Sequence, residues 1–202
     1  TDFKITGFAA LQSTDITSVD ARLEWYYDNS NYSVGVFYKD LDNPIEAIEL
    51  SGSDGNLLMS FRNAQSGKLY GIEAEFLQQL NMFGGTFGKI ADNFFVAGNL
   101  TVSESEIKIQ PFPGADLTNS ERGLSGHSKY VANLQLGYDS DNNQHNATLT
   151  YNVFGKRIAF AGVNDKDDAF EQPFNSLDFT YSYNPLESMT VKLGLKNLLD
   201  ED

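Results

Sequence analysis

The chain has 202 residues, 28 acidic against 14 basic side chains and a formal net charge of −14, a balance that sets nucleic acid aside as a partner. It contains no cysteine, which excludes a disulfide framework and any thiolate metal site. Thr1-Asp2-Phe3-Lys4 has neither the basic n-region nor the apolar h-region of a leader, and no run approaches the ~20 apolar residues of a membrane helix, although a β-barrel would pass that test unseen.

Taken in chain order, a period of two predicts strands near 18–28, 31–43, 60–79, 93–105, 128–139, 145–157, 174–184 and 188–198. Segments 45–50 and 76–82 are locally ambiguous between helix and strand. Sorting each strand by parity separates two faces. One carries Leu23, Trp25, Val34, Val36, Ile72, Leu100, Leu134, Leu149, Phe179, Leu193 and their like, without a charge over 21–27, 32–38, 70–76, 94–100, 132–138, 147–153, 177–183 and 191–195. The other carries Arg22, Glu24, Glu73, Glu75, Asp178, Lys192 and Lys196 among Asn, Thr and Ser. A dry face and a wet face fit either a soluble sandwich or a membrane barrel.

Two features favour the barrel. Trp25, Tyr27, Tyr32, Tyr138 and Tyr183 stand at one set of strand ends and Tyr38, Tyr70 and Tyr130 at the other, as the aromatic girdles of an outer-membrane barrel do. Tyr130 to Tyr138 is about 26 Å along a strand, or about 20 Å in height at a ~40° tilt. Connections also alternate, short at 28–31, 138–145 and 184–187 and long at 44–59, 106–127 and 158–173, with 80–92 an overlong member of the short set. The fold class is therefore all-β, an antiparallel up-and-down meander of about eight long strands forming part of a transmembrane β-barrel. On that wall the seven charged residues Arg22 to Lys196 named above face the lumen.

No constellation for catalysis emerges, and no cofactor or metal is expected. Gly123-Leu124-Ser125-Gly126-His127 has His where a nucleophile elbow needs Gly, and a strand follows it. Asp139-Ser140-Asp141-Asn142-Asn143 lacks the turn glycine and closing glutamate of a calcium loop. Asp165-Lys166-Asp167-Asp168 reads as a solvated loop tip. Loops are where barrels vary their recognition, so Arg122, His127, Arg157, Asp167 and Asp168 are the ligand-binding candidates.

The phrases themselves resemble a family. Ala21-Arg22-Leu23-Glu24-Trp25-Tyr26-Tyr27, Phe61-Arg62-Asn63-Ala64 running on to Gly71-Ile72-Glu73-Ala74-Glu75-Phe76, Asn93-Phe94-Phe95-Val96-Ala97-Gly98-Asn99-Leu100, Arg122-Gly123-Leu124-Ser125-Gly126-His127, Tyr151-Asn152-Val153-Phe154-Gly155 and Leu195-Lys196-Asn197-Leu198-Leu199-Asp200 occur in the order seen in TonB-dependent outer-membrane receptors. The resemblance implies a bacterial outer-membrane location and a 22-stranded barrel around an N-terminal plug. It also implies contact with lipid, and energised uptake through the TonB complex of a scarce small molecule or oligosaccharide, such as an iron chelate or cobalamin. The plug, its TonB-contact segment and a closing strand with a terminal aromatic have no counterpart here. The expectation is thus that residues 1–202 form a single segment from the C-terminal part of a longer barrel. The reading from a different class is a soluble secreted β-domain that binds carbohydrate or protein.

Overall fold

The computed structural model describes residues 4–51, 57–83, 88–110, 118–162 and 167–201. Strands β1 (Lys4–Ile5), β2 (Asp15–Tyr27), β3 (Ser30–Asp42), β4 (Ile45–Ser51), β5 (Leu57–Asn63), β6 (Ser66–Gln79) and β7 (Phe94–Lys108) make the first half. The second half comprises β8 (Glu121–Arg122), β9 (Tyr130–Asp139), β10 (His145–Phe154), β11 (Arg157–Phe160), β12 (Ala169–Glu171), β13 (Phe174–Leu186) and β14 (Met189–Leu195). Eight of them form one antiparallel sheet in the order β14-β13-β10-β9-β7-β6-β3-β2. That is the meander expected from alternation.

One detail differs from the sequence reading, and two others complete it. The expected strand 60–79 is two strands, because at Ala64 and Gln65 the amides turn to Pro44 O (2.7 Å) and Lys108 O (2.8 Å) instead of the ladder. The ambiguous segment 45–50 is a strand that forms a hairpin with β5, to which β1 adds in parallel. The sheet is also not a closed barrel among the described residues: β2 pairs with β3 alone and β14 with β13 alone. Within 80–92, Leu80–Phe83 and Gly88–Asn93 are short 3-10 turns.

The short turns use residues that tolerate left-handed backbone: Asp28 (φ 48°) closes β2 onto β3, and Asn143 (φ 54°) closes β9 onto β10. Register then places like beside like. Leu23, Val34, Ala74, Leu100 and Ala132 run across five strands on the dry face. No second layer covers that face among the described residues: Leu23 is 66% exposed, Leu134 48% and Leu193 52%. A soluble sandwich would bury this row; here it faces outward, as a lipid-facing surface does. Tyr38 and Tyr70 pair at its upper margin, and Trp25, Tyr32 and Phe76 at its lower margin.

Above the tyrosines the strands continue and the outer face changes character. Thr17, Asp40, Lys68 and Glu106 stand side by side one step beyond Tyr38. Lys108 pairs with Glu121 (3.0 Å), and Lys129 with Glu104 (2.7 Å). Charge thus returns to the outer face within two residues of the aromatic row, so the apolar band has a defined upper edge. The polar face is linked across strands: Arg22 donates to Glu75 (2.6 Å) and Glu24 (2.7 Å), and Asn133 donates to Asn99 (2.8 Å). The largest fully buried side chains, Ile48 and Ile107, lie beyond the band, Ile107 beside Ala64, Ile109 and Leu124. Among the described residues, the long-loop end therefore holds all the buried apolar side chains but Ala91.

Candidate functional site

The β7–β9 ladder ends at Val102 opposite Tyr130, and β8 rejoins β7 only at Ile107 and Lys108. Segment 123–129 fills the gap between them. Ser103 N donates to Lys129 O (2.9 Å), Leu124 N donates to Ser105 Oγ (3.0 Å), and the His127 ring sits between two hydroxyls, Nε2 2.8 Å from Ser103 Oγ and Nδ1 2.8 Å from Ser105 Oγ. One end of this segment is anchored by a buried ion pair. Arg122 Nη2 donates to Glu46 Oε2 (2.9 Å), and the two side chains are 3% and 6% exposed. Glu46 Oε2 also accepts from Ser125 Oγ (2.7 Å), while Arg122 Nη1 donates to Gly123 O (2.8 Å).

A third loop is tied to the other two. Gly126 N donates to Ile158 O (2.8 Å), Ser128 Oγ donates to Gly155 O (2.8 Å), and Ile48 and Ala161 form a parallel bridge. Asp168 accepts from Gly162 N (2.8 Å) and from Asn119 Nδ2 (3.2 Å). Three connections distant in sequence thus form one cross-braced cap.

Beneath the cap, the polar face of β2, β3, β6 and β7 opens into a cavity of about 740 Å³. Its charged lining is Asp20, Lys39, Glu73 and Arg157, with Ser103 and His127 between them. Phe37, Leu69, Val131 and Phe154 supply apolar patches. Arg157 stacks on Phe154 (4.3 Å to the ring centroid) and binds Glu171 through two bonds of 2.7 and 2.9 Å. A smaller cleft of about 250 Å³, lined also by Lys129, Lys156 and Phe170, shares His127 and Arg157 with the first.

Of the loop candidates, His127 and Arg157 meet in this cavity, whereas Arg122 is turned into the cap and Asp168 braces it. Asp167 is exposed beside it; Asp165 and Lys166 lie outside the described residues. Of the seven lumen-facing candidates, Glu73 lines the cavity and the other six do not. Arg22, Glu24 and Glu75 form their own network, and Asp178 accepts from Asn197 N (2.9 Å). Lys192 and Lys196 lie at the far margin, on and just after the edge strand β14. Sequence reasoning passed over Glu46, because a residue of the short strand β4 whose partner is 76 positions away leaves no periodic signal. It also passed over Phe37, whose signal was legible: an aromatic on the wet parity.

Burial pushes the His127 imidazole below its ordinary value, Glu104 opposing the shift and Lys129 adding to it. The unfolded chain therefore takes up this proton first as pH falls. The stability linked to His127 is complete above the ordinary histidine value and is lost as pH falls through the depressed folded value. In a His145→Gln variant, NMR of the His127 ring should show a midpoint below about 6.5. Lys129→Gln should raise it, and a midpoint above that value would contradict the burial seen here.

An open antiparallel sheet with an uncovered apolar face, aromatic margins and a loop-capped polar cavity has the architecture of an outer-membrane barrel wall. Residues 2–198 match the family described as TonB dependent receptor-like, beta-barrel, and the chain belongs to that family. Its members are transport proteins of the bacterial outer membrane, so the chain is not an enzyme. Among solved structures it is similar to a mutant of the ferric enterobactin receptor PfeA from Pseudomonas aeruginosa (16% identity, TM-score 0.62, 98% of this chain and 28% of that one). It is also similar to the copper transporter OprC (16%, 0.68, 96% and 27%) and to the FrpB iron transporter from Neisseria meningitidis (11%, 0.63, 98% and 29%). At such identities the likeness concerns the fold, and the chain spans little more than a quarter of each. No curated protein sequence matches it.

Proposed function

We propose that residues 1–202 form one segment from the C-terminal part of a TonB-dependent receptor barrel, which takes up a scarce ligand across the outer membrane. Energy comes from the TonB complex, reached through a plug that precedes this segment. The observation that carries the reading is the cross-braced loop cap over a polar cavity, on a sheet whose other face is apolar between two aromatic rows. The free edges of β2 and β14 accept the neighbouring strands of the same barrel. His127, Arg157, Asp167 and Asp168 stand where a ligand arrives, and Arg122 holds their support in place. Arg22, Glu24, Glu73, Glu75, Asp178, Lys192 and Lys196 line the lumen and its contact with the plug. The ligand is a small molecule or an oligosaccharide; iron and copper are what the names of the similar proteins carry.

An immunoblot of fractionated source cells, with antibody against this segment, tests the reading. A band several times heavier than 22.4 kDa in the outer-membrane fraction is expected. A band at that mass in a soluble fraction would sink it in favour of a secreted β-domain.

A further inference from the structure

Resting on the receptor reading, we propose that Phe37 is a stacking platform for an uncharged saccharide entering the capped cavity. Phe37 lies on the polar parity, directly between Asp20 on β2 and Gly71 on β6. Its ring reaches across β6 over Gly71: a Cβ added there would stand 2.8 Å from Phe37 Cζ, 2.6 Å from Ser103 Cβ and 2.5 Å from Val102 O. Only glycine permits that approach, so the strand pair is built to accept the ring against the wall. The ring lines the cavity and is half-buried, with Lys39 Nζ over it at 6.0 Å from the centroid.

The groups around the ring are those that recognise a polyol. Asp20 and Glu73 accept hydroxyl protons, Lys39 donates, and Ser103 can do either. The C–H face of a pyranose packs on an aromatic face, while its equatorial hydroxyls reach outward to such neighbours. A site that hydrogen-bonds hydroxyls gains selectivity over ligands lacking them, since its polar groups would otherwise be left unpaired.

Charge argues against the alternatives. Arg157 is committed to Glu171 through a bidentate pair, so Lys39 faces two carboxylates, Asp20 and Glu73, in the lining. A ferric tris-catecholate carries three negative charges and would meet a lining whose two carboxylates match Lys39 and Arg157, with no net positive charge to hold it. A bare divalent cation is no better served, because no group of three His, Asp or Glu side chains placed to hold one occurs among the described residues. The saccharide needs neither sign.

The test uses the intact receptor that carries this segment, purified in detergent. The probes are neutral gluco-, xylo-, manno- and chito-pentaoses and a ferric tris-catecholate, with binding read by calorimetry. At least one pentaose should bind. Phe37→Ala should weaken it about tenfold or more, while Phe37→Tyr, which keeps the ring, should stay within about threefold. Heat-modifiable mobility on gels verifies that each variant is folded. Binding of no pentaose, binding of the ferric chelate in their place, or pentaose binding indifferent to Phe37→Ala would each overturn the proposal. None of those results touches the receptor reading, which stands or falls on membrane fractionation.

Discussion

Leu134→Arg is expected to destabilise the assembled receptor by about 2–4 kcal/mol, the cost of arginine at the bilayer midplane on a barrel's outer face. Leu134 stands four residues from Tyr130 and four from Tyr138, 48% exposed on a strand whose two ends carry the aromatic margins. Its cost should fall along a gradient. Asp40→Arg, one step beyond Tyr38, should cost about 0–1 kcal/mol, since that row already carries Lys68 and Glu106. Asn133→Arg, next in sequence to Leu134, should be tolerated because its side chain joins Asn99 on the wet face. Denaturant unfolding in vesicles measures all three. In water a half-exposed leucine would accept arginine at little cost, so equal, small effects at positions 134 and 40 would refute the membrane placement. A large effect at 134 that persists unchanged in lipid-free solution would point to a buried sandwich core instead.

The eight long strands were legible because the bilayer imposes opposite demands on their two faces. Parity therefore separates Leu134 from Asn133 without any knowledge of pairing. Strand ends were less legible where a strand continues past the membrane. There both faces are wet, and Asp40, Asp42, Glu104 and Glu106 lose the alternation that marked the band. The break at Ala64 and Gln65 was invisible for a related reason: alternation runs through it, and only backbone bonds to Pro44 and Lys108 divide β5 from β6. The cap was the hardest part to see. Glu46, Arg122 and Ser125, or Gly126 and Ile158, meet across connections far apart in sequence, and nothing in local sequence specifies which connection meets which. The cavity was half-readable, since His127, Arg157 and Glu73 stood out as charged or titratable groups on the wet face or in loops. Their convergence depended on the cap.

That cap supplies the second large effect. Arg122→Met leaves Glu46 as a buried carboxylate without its cation, and losing one partner of a buried pair costs about 3–5 kcal/mol. Ser125 Oγ and N still reach Glu46, which places the loss toward the lower end of that range. The cost falls on the cap, because the pair's hydrogen bonds go to Gly123 and Ser125, and the long ladders β3–β6 and β6–β7 are held by their own backbone pairing. Local opening, rather than global unfolding, should therefore respond. In hydrogen exchange, the Ile109 amide, bonded to Ser120 O (2.9 Å), and the Gly126 amide, bonded to Ile158 O (2.8 Å), should lose protection. Amides in the middle of β6 should not. The double variant Glu46→Leu with Arg122→Met should recover much of the loss, because two apolar side chains of similar volume leave no charge stranded. Arg122 Nε, buried without a partner, is already an unfavourable element of the native pair. If the single and double variants exchange alike, the pair is not what holds the cap. If only the double variant closes the loops yet binding in the cavity is weaker, the pair serves to set the register of segment 123–129. In that case His127 depends on Arg122 for its place between Ser103 and Ser105.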